Sequence, residues 1–199
     1  MHVQDPLEEI IMERERARQC GDLNVDVCYL ATVTATGQPE VRAVSLREIG
    51  ALGCELLLNS TSPKWRQLAT GGRISVLIHW PTVQRQYRLR GGVALLESAR
   101  VASYWARKSR GSQLLEQYYD AYRPQSEPIS SRASLLQEME ELRRRLPEQR
   151  ETPIPPSLVG VQLTAQEIET WHGSPADLLH DRRLYRRSED GWVMQILVP

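Results

Sequence analysis

Short runs of strict apolar–polar alternation, each closed by turn residues, dominate both ends of this chain and limit what it can become. "DVCYLATVTATGQPEVRAVSLREI" holds two of them. Val27, Tyr29, Ala31 and Val33 alternate with their neighbours, "TGQP" turns the chain, and Val41, Ala43 and Ser45 resume the alternation. A side-chain period of two belongs to a pleated strand, so two such runs about a Gly/Pro turn make a β-hairpin. "GCELLLNS", "RISVLIHWP" and "VQRQYRLRGGVALLES" add a third, fourth and fifth strand, and the Gly-Gly in the last suggests a bulge or bend. After a helical middle, strands return as "LVGVQLT", "EIETWHG", "RRLYRR" and "GWVMQILVP". Short turns make most pairings antiparallel. Six or more such strands bracketing a helical segment predict a mainly β fold: a small β-barrel with peripheral helices, in a single domain over residues 1–199.

Helical periods fill the rest. "DPLEEIIMERERARQ" reads as an amphipathic helix ending near Gly21. "TSPKWRQLATGG" reads as a short helix with Ser62 as N-cap, Pro63 at its first position and Gly71 at its end. "SARVASYWARKSRGSQLLEQYYDAY" gives one or two helices, broken at "KSRGS", and "RASLLQEMEELRRRL" gives a strongly amphipathic one. "PEQRETPIPPS" is too rich in proline for anything but a linker or turn.

Charge excludes several functions. Lys+Arg and Asp+Glu balance at 25 each, whereas a nucleic-acid-binding domain is normally basic overall. No apolar run reaches the ~18 residues of a membrane span. The N-terminus is acidic and lacks the basic-then-apolar order of a signal peptide, so a cytoplasmic location is the default expectation. Cys20, Cys28 and Cys54 have no metal-ligand spacing and read as free thiols of a reducing compartment. No Ser-His-Asp order, paired carboxylates, metal cluster or Gly-rich phosphate loop stands out.

Balanced net charge still allows a local basic pocket. "LLHDRRLYRR" (178–187) concentrates arginine around His180 in what reads as the last hairpin. Arg42 and Arg47 flank strand two, and Lys64 lies in the first turn of a helix. Arg85, Arg88 and Arg90 lie on strand five, Lys108 and Arg110 at the helix break, and Arg182 in the last hairpin. Free N–H groups and the helix dipole at Ser62 and Lys64 would favour an anion. The competing reading is solvated strand faces, since about a quarter of any domain is charged. His180 is a general base, an anion partner or a structural histidine. Trp171 is core or a stacking platform. His79, beside Trp80, reads as barrel wall.

Several blocks together resemble the pyridoxamine 5′-phosphate oxidase family, flavin enzymes with an FMN-binding split β-barrel. They are "LATVTATGQPEVRAVSL", "NSTSPKWRQLA", "HWPTVQRQYRLRG", "YWARKSRGS", "PQSEPISSR" and "ETWHGSPADLLHDRRLYRRSEDGW", in the family's order and over nearly the whole chain. The resemblance implies a homodimer with FMN at its interface, and residues 158–199 as the C-terminal dimerisation segment. It assigns the cofactor to Arg42, Lys64, Gln86, Gln125, Ser126, Trp171 and Arg182. It assigns substrate binding to Arg47, Tyr104, Lys108, Ser112 and His180, with His180 and Arg47 nearest the chemistry. Arg183, Arg186 and Arg187 are left to solvent or a subunit contact. The implied reaction oxidises pyridoxamine or pyridoxine 5′-phosphate to pyridoxal 5′-phosphate, with oxygen as acceptor and hydrogen peroxide as product. The alternatives are an oxidase of a secondary-metabolite (phenazine-type) intermediate and a flavin carrier without turnover. Arg47 replaces a family lysine, Lys108 and Leu178 replace arginines, Leu57 and Leu58 stand for Tyr-Thr, and Pro63 stands for an arginine. Arginine and lysine are not equivalent at bidentate sites, and Leu178 loses charge altogether.

Overall fold

Each alternating run becomes a strand because it can bury one of its two faces. The computed structural model describes residues 5–69, 71, 74–146 and 152–199. Its helices are α1 (Pro6–Gln19), α2 (Pro63–Ala69), α3 (Ser98–Ala106), α4 (Arg110–Ala121) and α5 (Arg132–Arg145). Its strands are β1 (Val27–Val33), β2 (Pro39–Gly50), β3 (Gly53–Asn59), β4 (Ser75–Trp80), β5 (Arg85–Leu95), β6 (Leu158–His172), β7 (Asp181–Ser188) and β8 (Gly191–Leu197). The sheet order is β3-β2-β1-β4-β5-β6-β7-β8, and β3 also pairs with β6. Six antiparallel strands therefore close a barrel, and β7 and β8 extend it. The expected split-barrel fold is the one observed.

Phase, bulge and strand number needed the structure. In β1 the buried side chains are Cys28, Leu30 and Thr32, while Val41, Ala43 and Ser45 of β2 are exposed. The residues that displayed the alternation thus lie on the outer face. "VCYLATV" is apolar in both phases, so its period fixes a strand without choosing the inner side. A bulge falls in β2, where the register shifts between Leu46 and Glu48 and frames Arg47. β5 runs from Arg85 to Leu95. Gly91 serves a close approach there: a Cβ on it would collide with the Thr164 carbonyl of β6. The two runs expected at 158–164 and 167–173 form one strand, β6, because Ala165 and Gln166 between them carry no turn chemistry. The helical middle divides in two, with Ser109 capping α4 by accepting the Ser112 N–H at 3.3 Å. Arg73 and residues 147–151 of the proline-rich linker lie outside the described residues.

The chain divides into two compact units. The first comprises Met1–Leu56, Gly71–Ala94 and Val161–Pro199. Its core includes Leu30, Leu46, Val76, Ile78, Trp80, Tyr87, Leu89, Leu163 and Ile168, all essentially inaccessible. α1 joins it through Leu7, Ile10 and Ala17 and through Arg14, which donates to the Leu46 carbonyl at 3.1 Å. The second unit comprises Leu57–Thr70 and Leu95–Gly160. One of its clusters joins Val101, Trp105 and Leu158; another joins Leu114, Tyr118 and Leu142.

Candidate functional site

In the first unit, the end of β6 and the loop to β7 form a cleft of about 340 Å³. His79, Pro81, Gln84, Trp171, Gly173, Ser174, Pro175, Leu178 and His180 line it. That volume suits one ring-sized ligand. The rings of Trp171 and His180 lie 4.6 Å apart, tilted by 47°. His180 Nδ1 is buried and has no hydrogen-bond partner within the protein. A buried imidazole nitrogen without a partner is costly.

Local backbone chemistry builds the cleft. Asp177 accepts the Ser174 hydroxyl at 2.5 Å and the Leu179 N–H at 3.0 Å. These hydrogen bonds hold its carboxyl below the usual range. The turn forces Leu178 to φ +61, with 71% of its surface exposed on the cleft rim. Gln84 sits at φ +54, and its carbonyl accepts the Gly173 N–H at 3.0 Å. Left-handed backbone at Leu and Gln is sparsely populated and strained, and here both residues border the same cleft.

Trp171 pairs with Arg182 across β6 and β7, so the two share a face with Glu169. Glu169, 8% exposed, accepts Arg182 Nη2 at 2.9 Å and also binds Arg88 Nη2. Arg182 Nη1 donates to the Val198 carbonyl at 3.0 Å. Gln86 is half-buried on β5, opposite His79. Arg42 turns to its own hairpin, donating to Thr32 Oγ1 at 2.5 Å and to Glu40 at 2.9 Å. Arg47 is half-buried at the β2 bulge. On the other face, Glu9 of α1 accepts from Tyr87 at 3.1 Å and meets His172 Nε2 at 2.8 Å. Burial pushes the Glu9 carboxyl up, but these hydrogen bonds and the nearby His172 and Arg183 charges bring it below its ordinary value.

In the second unit a line of hydrogen bonds joins two cations. Lys64 Nζ donates to Gln125 Oε1 at 2.6 Å, and the Gln125 N–H to Thr61 Oγ1 at 2.9 Å. Thr61 donates to Asn59 Oδ1 at 2.5 Å. Asn59 Nδ2 donates to Glu116 Oε2 at 3.1 Å and to Ser157 at 3.0 Å. Glu116 Oε1 accepts Lys108 Nζ at 2.6 Å. The Lys108 side chain is only 7% exposed. Tyr104 is buried between the guanidinium groups of Arg100 and Arg107, each 4.8 Å from its ring centre. The Ser112 hydroxyl lies 3.0 Å from that of Ser109. Ser126 is exposed, at φ +73.

Several sequence expectations change here. At the start of α2, a seven-residue helix, the Trp65 N–H bonds Ser62 Oγ at 3.3 Å. Carboxylates of β6 and β7 compensate much of the last hairpin's positive charge. Arg183 pairs with Asp181 at 2.6 Å, Arg186 with Glu167 at 3.2 Å, and Arg187 lies over the Trp192 ring at 4.4 Å. His79 lines the cleft as well as the barrel. Glu116, Glu169, Glu9 and His172 were not singled out by the sequence. Of these, His172 alone carries a local signal, lying next to Trp171. Among the described residues no group of three or more His, Cys, Asp or Glu could hold a metal ion.

Residues 23–146 match the family described as pyridoxamine 5′-phosphate oxidase. Residues 159–199 match the pyridoxine 5′-phosphate oxidase C-terminal dimerisation region. A pyridoxine/pyridoxamine 5′-phosphate oxidase of Deinococcus deserti is 34% identical over 195 residues, covering 98% of this chain and 89% of the relative. One of Sphingopyxis alaskensis is 35% identical over 184 residues, covering 92% and 82%. Among solved structures, PhzG from Burkholderia lata in complex with tetrahydrophenazine-1-carboxylic acid superposes with a TM-score of 0.86 at 25% identity, covering 99% of this chain and 94% of that one. A related FMN-binding protein of Nostoc punctiforme, at 20% identity and a TM-score of 0.74, shares the fold.

Proposed function

The chain belongs to the pyridoxamine 5′-phosphate oxidase family of oxidoreductases, and from that premise we propose that it is an FMN-dependent oxidase of a planar ring substrate. The observation that carries the reading is the pairing of Trp171 with His180, whose rings lie 4.6 Å apart and line one ring-sized, largely apolar cleft. The donor set also fits FMN. By residue type, Arg42, Lys64 and Arg182 would each offer a cation to a phosphate, Gln86, Gln125 and Ser126 amide and hydroxyl groups, and Trp171 an indole. When bound, FMN supplies a two-electron acceptor whose electrons pass to oxygen, giving hydrogen peroxide. The dimerisation region at 159–199 supports a working homodimer.

The protein's own part is orientation and proton handling. Trp171 gives the ring a flat apolar wall. His180 would accept the proton of the substrate's exocyclic hydroxyl or amine as the neighbouring carbon is oxidised. The family resemblance also assigns substrate contacts to Arg47, Tyr104, Lys108 and Ser112. The relatives' names support pyridoxine or pyridoxamine 5′-phosphate as substrate and pyridoxal 5′-phosphate as product. A second reading, an unphosphorylated phenazine-type ring, is favoured by the exposed apolar Leu178 on the cleft rim and by the ligand of the PhzG structure. Purified protein loaded with FMN should release peroxide in air with pyridoxine 5′-phosphate. No peroxide at millimolar substrate with FMN bound would reject the first reading, and turnover of a reduced phenazine carboxylate would establish the second.

A further inference from the structure

Lys108 is the cation that the proposed substrate site would turn toward a phosphate, yet it already has a counter-ion. Glu116 Oε1 lies 2.6 Å from its Nζ, and both side chains are largely buried. The carboxylate is also fixed from behind. Its second oxygen accepts Asn59 Nδ2, and Asn59 is held by Ser157 and by Thr61. This hydrogen bond from Asn59 favours the carboxylate's position beside Lys108. The pair sums to zero charge, and an arriving phosphate dianion meets the attraction of one group and the repulsion of the other at nearly the same place. The Ser112 hydroxyl is within hydrogen-bond distance of Ser109 and adds no charge.

We propose that Glu116 is a specificity-determining residue: by neutralising Lys108 it removes most of the selection for a phosphate, so the site takes an uncharged or weakly charged ring substituent almost as well as a phosphorylated one. The inference rests on the substrate site proposed above and concerns only its charge. Lys108 lies in the break between α3 and α4 and Glu116 on α4, and a single carboxylate there resets the ligand class without altering the fold.

The test compares 4-deoxypyridoxine with its 5′-phosphate. These differ only in the phosphate, and the 4-methyl group is not the oxidisable alcohol or amine. Calorimetric titration of the FMN-loaded full chain gives the phosphate preference as a ratio of dissociation constants. We expect a wild-type ratio below about tenfold, less than one full charge-assisted hydrogen bond would give. Glu116→Gln keeps an acceptor for Lys108 but frees its charge, and should raise the ratio about tenfold or more. The double variant Lys108→Gln/Glu116→Gln should lose that gain. A wild-type ratio above about a hundredfold would overturn the proposal without any variant, whatever the variants' stability. So would an unchanged ratio in Glu116→Gln, a gain that survives in the double variant, or no binding of either compound to Glu116→Gln. If the wild type binds neither compound while Glu116→Gln binds the phosphate, the vitamin B6 reading of the substrate falls and the role of Glu116 stands.

Discussion

His180 shows how much one atom can carry. A histidine beside a tryptophan is ordinary; a histidine whose buried Nδ1 has no partner, 4.6 Å from that tryptophan in a ring-sized cleft, is an unmade hydrogen bond. If His180 takes the substrate proton, His180→Ala should keep FMN and lower kcat by about 10²–10⁴-fold, the usual contribution of a positioned acid–base group. Stopped-flow flavin reduction measures this directly. A variant that reduces flavin at the wild-type rate would remove His180 from the chemistry. The sequence named His180, Trp171 and Arg182 through local order, and these lie on adjoining strand ends. It could not name Glu169 and Glu116, because the partner of a cation is set by the fold. Asn59 and Glu116 are 57 positions apart, and no local period records such a pairing.

At the scale of elements, helix α1 is tied to the barrel by a charged contact as well as an apolar one. Glu9 reaches His172 and Tyr87, and Arg14 spans Val25, Asp26 and Leu46. The Glu9 carboxyl titrates below its ordinary value of 4.5 when folded, despite burial. The stability it contributes is therefore present above pH 4.5 and lost as pH falls through the lower folded value. Glu9→Gln should cost about 1–3 kcal/mol near neutral pH, from weakened hydrogen bonds to a charged acceptor. The gap between variant and wild type should narrow in acid. Urea unfolding at several pH values checks this, and a gap that widens below pH 4.5 would give the contact the wrong sign. Element existence was legible from period and turns. Element phase was not: β1 is apolar on both faces, and only closure of the barrel decides that Cys28 and Leu30 point inward. Gly91 was visible as a break in pattern, but its purpose, room for the Thr164 carbonyl, depends on a strand far away in sequence.

For the whole molecule, a chain with no net charge places its charges with care. Arg42, Arg182 and Lys108 each meet a carboxylate of their own chain, while Lys64 donates to an amide oxygen. Such a distribution suits a protein that orients a cofactor and a ring, where excess positive charge would attract unrelated anions. Fold class and family were legible because many weak local signals agreed over nearly the full length, whereas substrate class rests on a few pairings that only the fold creates. The central claim is that this chain is a flavin oxidase, and the visible spectrum of the purified protein with added FMN tests it most directly. The account predicts a yellow protein whose flavin band survives gel filtration, bleaches on anaerobic addition of substrate and returns with air. A colourless protein that retains no added FMN would contradict it.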